Sequence, residues 1–195
     1  MKNVKISATL GLISLVCALL IALVNMVSRP IIDTNEQKTE LATCQEIFKD
    51  YDQDESNSKV DLTGKDSKIK KIIVANDKTG NLLGKIYKVS GNNAYGIITL
   101  MVGIDKDNNV CQVEFLENGQ SFASTVNNHV STKYPSSEST DVHIGFYKQG
   151  DSSSKPAILD EAALSSIDVK CGATYGATLV KELVTLALND AKEAA

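Results

Sequence analysis

The sequence predicts an α+β protein: a single N-terminal transmembrane helix, followed by a domain of antiparallel strands with flanking helices. Three observations predict it. No charged residue lies between Lys5 and Arg29, and Ile6 to Val27 is apolar almost throughout. From Lys68 the apolar residues leave a helical period for runs of strand length, punctuated by turn-forming clusters at 76–80 and 105–109. From Gly176 to Ala194 the helical period returns, with Leu179, Val180, Leu183, Val184, Leu186 and Ala187 on one face.

The first element, residues 1–28, is expected to be a membrane anchor. At 1.5 Å per residue its apolar run reaches roughly 33 Å, enough for a hydrocarbon core of about 30 Å. Lys2 and Lys5 before an apolar run also suit a signal peptide, but Asn25-Met26-Val27 is not a small-x-small cleavage site, and Cys17 lies too deep in the run for a lipoprotein cysteine. An uncleaved anchor is therefore expected. Lys2, Lys5 and the amino terminus outweigh Arg29 and Lys38 by one charge, which predicts a cytoplasmic N-terminus in the cell (inner) membrane and a domain on the extracytoplasmic side.

Residues 29–67 read as a juxtamembrane helix and linker. Pro30 suits a first helical turn, Ile31 to Tyr51 keep an apolar rhythm that continues the membrane helix with a kink, and Gln53 to Ser67 are polar and acidic. Residues 68–195 form the domain. Strands are expected around Ile69 to Val74, Leu82 to Val89, Tyr95 to Ile104 and Val110 to Leu116, with Ser90-Gly91-Asn92-Asn93 as a turn between the second and third. Phe122, Val126 and Val130 recur four apart and predict a helix over Ser121 to Tyr134 with those three on its buried face. A short strand at Val142 to Tyr147, a Gly/Ser-rich loop over 150–156 and a helical turn at Ile158 to Leu164 complete the order.

Charge narrows the function. Net charge is −4; the first 28 residues hold only Lys2 and Lys5, leaving 18 basic residues against all 24 acidic ones in the remainder. An acidic domain without a basic stripe argues against nucleic acid. Cys17, Cys44, Cys111 and Cys171 have no paired spacing. Three lie outside the apolar run and could hold one disulfide and a thiol, or none, and small buried residues are the simpler reading. No metal site is expected. His129 and His143 are isolated and read as surface residues.

The residues that carry chemistry are Asp168-Val169-Lys170-Cys171-Gly172-Ala173-Thr174, followed by Tyr175-Gly176-Ala177-Thr178. They put a hydroxyl among residues too small to shield it, beside a helix N-terminus whose unpaired N–H groups and positive dipole end favour a phosphate. This stretch resembles the flavin-attachment motif of the FMN-binding domain family, Asp-x-x-Ser/Thr-Gly-Ala-Thr. With the anchor, juxtamembrane helix and central strands, the chain is similar to the G subunits of Rnf ion-translocating ferredoxin:NAD oxidoreductases and to the related C subunits of sodium-pumping NADH:quinone oxidoreductases.

The resemblance implies covalent FMN in phosphoester linkage to Thr174. Asp168, Cys171, Gly172 and Ala173 would frame it, and Glu117, Gln120 and Ser121 would approach the flavin where the family carries a Glu-Thr-Pro-Gly-Leu-Gly-like loop. Here that loop reads Asn118-Gly119-Gln120-Ser121, which is equally an ordinary strand-to-helix connection. Cys171 replaces the family's Ser or Thr, and Thr178, in a second Gly-Ala-Thr, is a rival acceptor. The implied partners are other membrane and redox subunits and a flavin transferase that works from FAD with a divalent metal. The implied role is electron transfer in a complex coupling ferredoxin and NAD chemistry to sodium or proton movement. The alternative is a stand-alone anchored flavoprotein serving outside acceptors.

Overall fold

The computed structural model describes residues 2–52, 60–137 and 156–193. They form two compact units, residues 1–40 and 41–195. The first is the greater part of α1 (Lys2–Ile47), a 46-residue helix. Its stretch from Leu10 is long and apolar enough to cross a membrane. Leu10, Leu15, Leu19, Ile21, Val24 and Met26 are all exposed. A stripe-free apolar surface of this kind suits lipid, where the helix satisfies its own backbone groups. Pro30 sits inside the helix and does not start a new one. Thr34 donates its hydroxyl to the Pro30 carbonyl at 2.7 Å, one turn on.

The second unit begins with the end of α1 and contains β1 (Ile69–Asn76), β2 (Leu82–Asn93), β3 (Gly96–Asp105), β4 (Val110–Asn118), α2 (Ala123–Lys133), α3 (Glu161–Ser166) and α4 (Thr174–Glu193). The strands make one antiparallel sheet in the order β1-β2-β3-β4, the meander the turn clusters predict. Alternation divides its residues between two cores. Ile72, Tyr87, Leu100 and Val102 join the main core with Val126, Val130, Val180, Leu183 and Leu188 of α2 and α4. Ile73, Ile86 and Met101 belong to a smaller core with Cys44, Ile47 and Tyr51. Gly103 makes the second packing possible: a Cβ there would stand 2.3 Å from Ile47 Cγ2.

Two hairpin turns are held by carboxylates. Asp77 accepts from the Thr79 and Asn81 amides at 2.8 and 2.9 Å and from the Thr79 hydroxyl at 2.7 Å. These bonds, with one from the Asn81 side chain, hold its carboxyl well below the usual carboxylate range. Asp105 accepts from the Asp107 and Asn109 amides in the β3–β4 turn.

The β2–β3 turn lies later than its composition suggests. Ser90 to Asn93 are strand, paired with Thr99 to Gly96, and the chain reverses at Ala94-Tyr95. The Ser90 and Thr99 hydroxyls meet across the strands at 3.0 Å. Gly91 serves close packing, not turning: a Cβ there would lie 3.0 Å from Leu179 Cδ1 of α4.

Val126 and Val130 of α2 are buried as expected, but Phe122 is 59% exposed. It occupies the N-cap position with φ −117° and ψ 47°, outside the helical twist that would carry it onto the buried face. Asp160 caps α3, accepting from the Ala163 amide at 2.7 Å. α4 lies over β2 and β3, and Asp190 near its end takes the Lys65 ammonium at 2.7 Å and the Tyr87 hydroxyl at 3.2 Å. The strand expected at Val142 to Tyr147, the Gly/Ser-rich loop up to Lys155, and His143 lie outside the described residues.

Candidate functional site

The connection from α3 to α4 is built to expose one hydroxyl. Lys181, on α4, donates to the carbonyls of Ser165 at 2.7 Å and Ile167 at 2.8 Å, satisfying the end of α3 and fixing where the connection starts. Asp168 then turns its carboxylate on its own loop, accepting from the Lys170 amide at 2.9 Å. Thr174 is the first residue of α4 and is exposed; its hydroxyl donates to the Cys171 carbonyl at 2.9 Å. A hydroxyl that donates keeps its lone pairs, so the oxygen remains a nucleophile in outline while its rotamer is fixed.

Gly176 sets how closely this helix start approaches α2. A Cβ there would stand 2.5 Å from Val126 Cγ2 and 3.3 Å from Gln120 Oε1. The β2–β3 hairpin closes the third side. Asn93 accepts from the Tyr95 amide at 2.8 Å and donates to the Tyr175 carbonyl at 3.1 Å, joining hairpin to helix. Gln120, which is buried, donates to the Gly96 carbonyl, and the Ser121 amide donates to the Tyr95 carbonyl at 3.0 Å.

These contacts enclose an open cavity of about 280 Å³ lined by Tyr95, Gln120, Phe122, Gly172, Ala173, Thr174, Tyr175 and Gly176. Four of the residues singled out from the sequence therefore meet: Gln120, Gly172, Ala173 and Thr174. Ser121 adjoins them through Tyr95, and Cys171 contributes its carbonyl. Asp168 and Glu117 do not line the cavity; Glu117 is exposed on β4 opposite Thr99. Thr178 lines a different groove, of about 520 Å³, with Asp66, Lys68, Lys181 and Glu182 among its neighbours.

Sequence reasoning missed Tyr95, Phe122 and Tyr175. In a chain with 5% aromatic residues, Tyr175 beside the motif was the available signal. Tyr95 and Phe122 come near only through the fold. The Tyr95 and Tyr175 rings lie 5.4 Å apart between centroids, at 34° to each other.

His129 is not a surface residue. It is buried in α2, its Nε2 has no hydrogen-bond partner among the described residues, and burial, reinforced by Lys133 and opposed by Asp168, pushes its pKa down to about 4. No disulfide joins the four cysteines. Burial, with Asp105 nearby, pushes the Cys111 thiol up to about 12, so it is inert at neutral pH. Among the described residues, no group of three or more His, Cys, Asp or Glu could hold a metal.

A helix of membrane-crossing length and composition followed by a four-stranded antiparallel α+β domain defines the class, an α+β domain with one candidate membrane anchor. Residues 2–47 match the family model of the RnfG N-terminal region, so the N-terminal helix is RnfG-like. The match covers α1; the cavity and Thr174 are carried by the part of the chain beyond it. No curated protein matches the chain.

Proposed function

We propose that this protein is an electron-transfer subunit that carries FMN covalently on Thr174, in an Rnf complex coupling ferredoxin and NAD chemistry to sodium or proton movement. One observation supports the reading above the others. Thr174, six residues after Asp168, is exposed at the edge of a partly aromatic cavity, in a chain whose first helix is RnfG-like. Thr178 lies apart from that cavity, in a groove whose described lining holds no aromatic ring.

Attachment requires little of the chain itself. A flavin transferase with a divalent metal would join Thr174 Oγ1 to the FMN phosphorus of FAD; the pyrophosphate bond breaks, AMP leaves, and the hydroxyl proton passes to solvent. The N–H groups at the start of α4 would face the phosphoester, and Gly172 and Ala173 leave the transferase room to approach. Bound there, FMN supplies reversible electron acceptance. Gln120 and the surrounding rings would orient it, and the tether replaces a binding equilibrium, so the cofactor cannot diffuse away. Electrons enter and leave through other membrane and redox subunits. We further propose that the N-terminus is cytoplasmic and the domain extracytoplasmic.

The test is co-expression with a flavin transferase followed by a denaturing gel viewed for flavin fluorescence. Wild type and Thr178→Val should fluoresce and Thr174→Val should be dark; the opposite pattern refutes the assignment.

A further inference from the structure

We infer that Tyr95 and Tyr175 form a stacking seat for the isoalloxazine ring of the flavin on Thr174 and quench its emission. The inference rests on the FMN reading above and goes beyond it by naming what holds the ring. Tyr175 is the residue after the tether, and its side chain is 68% exposed; Tyr95 is 43% and Phe122 59% exposed. Three large rings left in water around one cavity are unusual in a chain with so few aromatics. The two tyrosine rings are tilted, not parallel, so they do not satisfy each other face to face, and both line the cavity.

Their positions are also fixed. Asn93 holds the backbone of both tyrosines at once, through the Tyr95 amide and the Tyr175 carbonyl. Gln120 donates to the Gly96 carbonyl and so ties the turn after β4 to the hairpin that carries Tyr95. Such a seat is pre-organised, so little order must be imposed when a ring arrives.

Size decides how the ring is held. The cavity is about 280 Å³, at the bottom of the roughly 300–1,000 Å³ usual for pockets that bury a ligand. It is too small to enclose a whole flavin nucleotide and large enough to receive one face of the ring. Shallow contact suffices because the tether supplies an effective concentration on the order of millimolar. The other face stays open toward a partner. Quenching follows from the same contact: a phenol stacked on the excited flavin gives it an electron and receives it back, leaving both in their ground states.

The experiment uses the full chain flavinylated in cells: wild type, Tyr95→Leu, Tyr175→Leu, Tyr175→Phe and the double leucine variant. Intact mass first establishes the adduct; emission lifetime and visible circular dichroism of the flavin are then read under native and denaturing conditions. Wild type should show a native lifetime severalfold shorter than the denatured one and a strong dichroic band. The leucine variants should lose both, most completely together, and Tyr175→Phe should keep the band while its lifetime lengthens. Flavinylated leucine variants with the wild-type lifetime and band overturn this inference alone. A wild-type chain without the adduct overturns the FMN reading and this inference with it.

Discussion

Replacing Gly176 with alanine sets two effects of opposite sign against each other. In an unconstrained helix the change should stabilise by about 1 kcal/mol, because glycine gives up more backbone freedom. Here the added Cβ would stand 2.5 Å from Val126 Cγ2. Val126 is fully buried, and a β-branched side chain in a helix has one strongly preferred rotamer, so it cannot swing aside. Overpacking of this kind costs about 1–3 kcal/mol. The clash should win, giving net destabilisation of about 1 kcal/mol and lifting the first turn of α4 from Gln120. Chemical denaturation of the full chain in detergent measures the first effect; the yield of flavinylated protein should fall with the second. Val126→Ala should cost stability alone yet recover most of the Gly176→Ala defect in combination, a coupling expected only for groups in contact. Stabilisation by Gly176→Ala, or strict additivity with Val126→Ala, would refute the packing argument.

Other perturbations test separate parts of the fold. His129, with a folded pKa of about 4 against about 6.5 when unfolded, favours the folded state only while neutral. Its contribution, at most about 3 kcal/mol, is complete above pH 6.5 and lost as pH falls toward 4. His129→Phe, which also removes a nitrogen without a hydrogen-bond partner among the described residues, should flatten that part of the stability–pH curve; an unchanged curve contradicts the burial argument. Asp190→Ala would strand Lys65, which is partly exposed, and Tyr87, which is not. A loss of about 1–3 kcal/mol in denaturation is expected. Gly103→Ala would press on Ile47 Cγ2 and should lower the melting temperature, with partial relief by Ile47→Ala, which removes that methyl. Thr174→Val removes one exposed hydrogen bond, so its stability should stay within about 0.5 kcal/mol of wild type.

The elements were legible where sequence period and burial agree. Turn clusters at 76–80 and 105–109 divide the apolar runs into the strands of the meander, and within those strands Ile72, Tyr87, Leu100 and Val102 alternate with Ile73, Ile86 and Met101 between the two cores. These patterns failed where a residue has two uses. Ser90-Gly91-Asn92-Asn93 has turn composition, yet its glycine answers to Leu179, far away in sequence. Phe122 keeps the four-residue spacing but stands just outside the helix. His129 reads as polar and lies buried, because nothing local reports that α2 is covered. At the site, Gly172, Ala173 and Thr174 could be found because they are consecutive. Tyr95 and Gln120 reach them only through the β2–β3 hairpin and the turn after β4, and no local pattern announces a meeting across that distance in sequence.

The most direct measurement is the intact mass, with peptide mapping, of the chain purified from cells containing a flavin transferase. A single FMN adduct on the peptide containing Thr174, abolished by Thr174→Val, is the expected result. An unmodified mass, or an adduct that survives that substitution, would contradict the account.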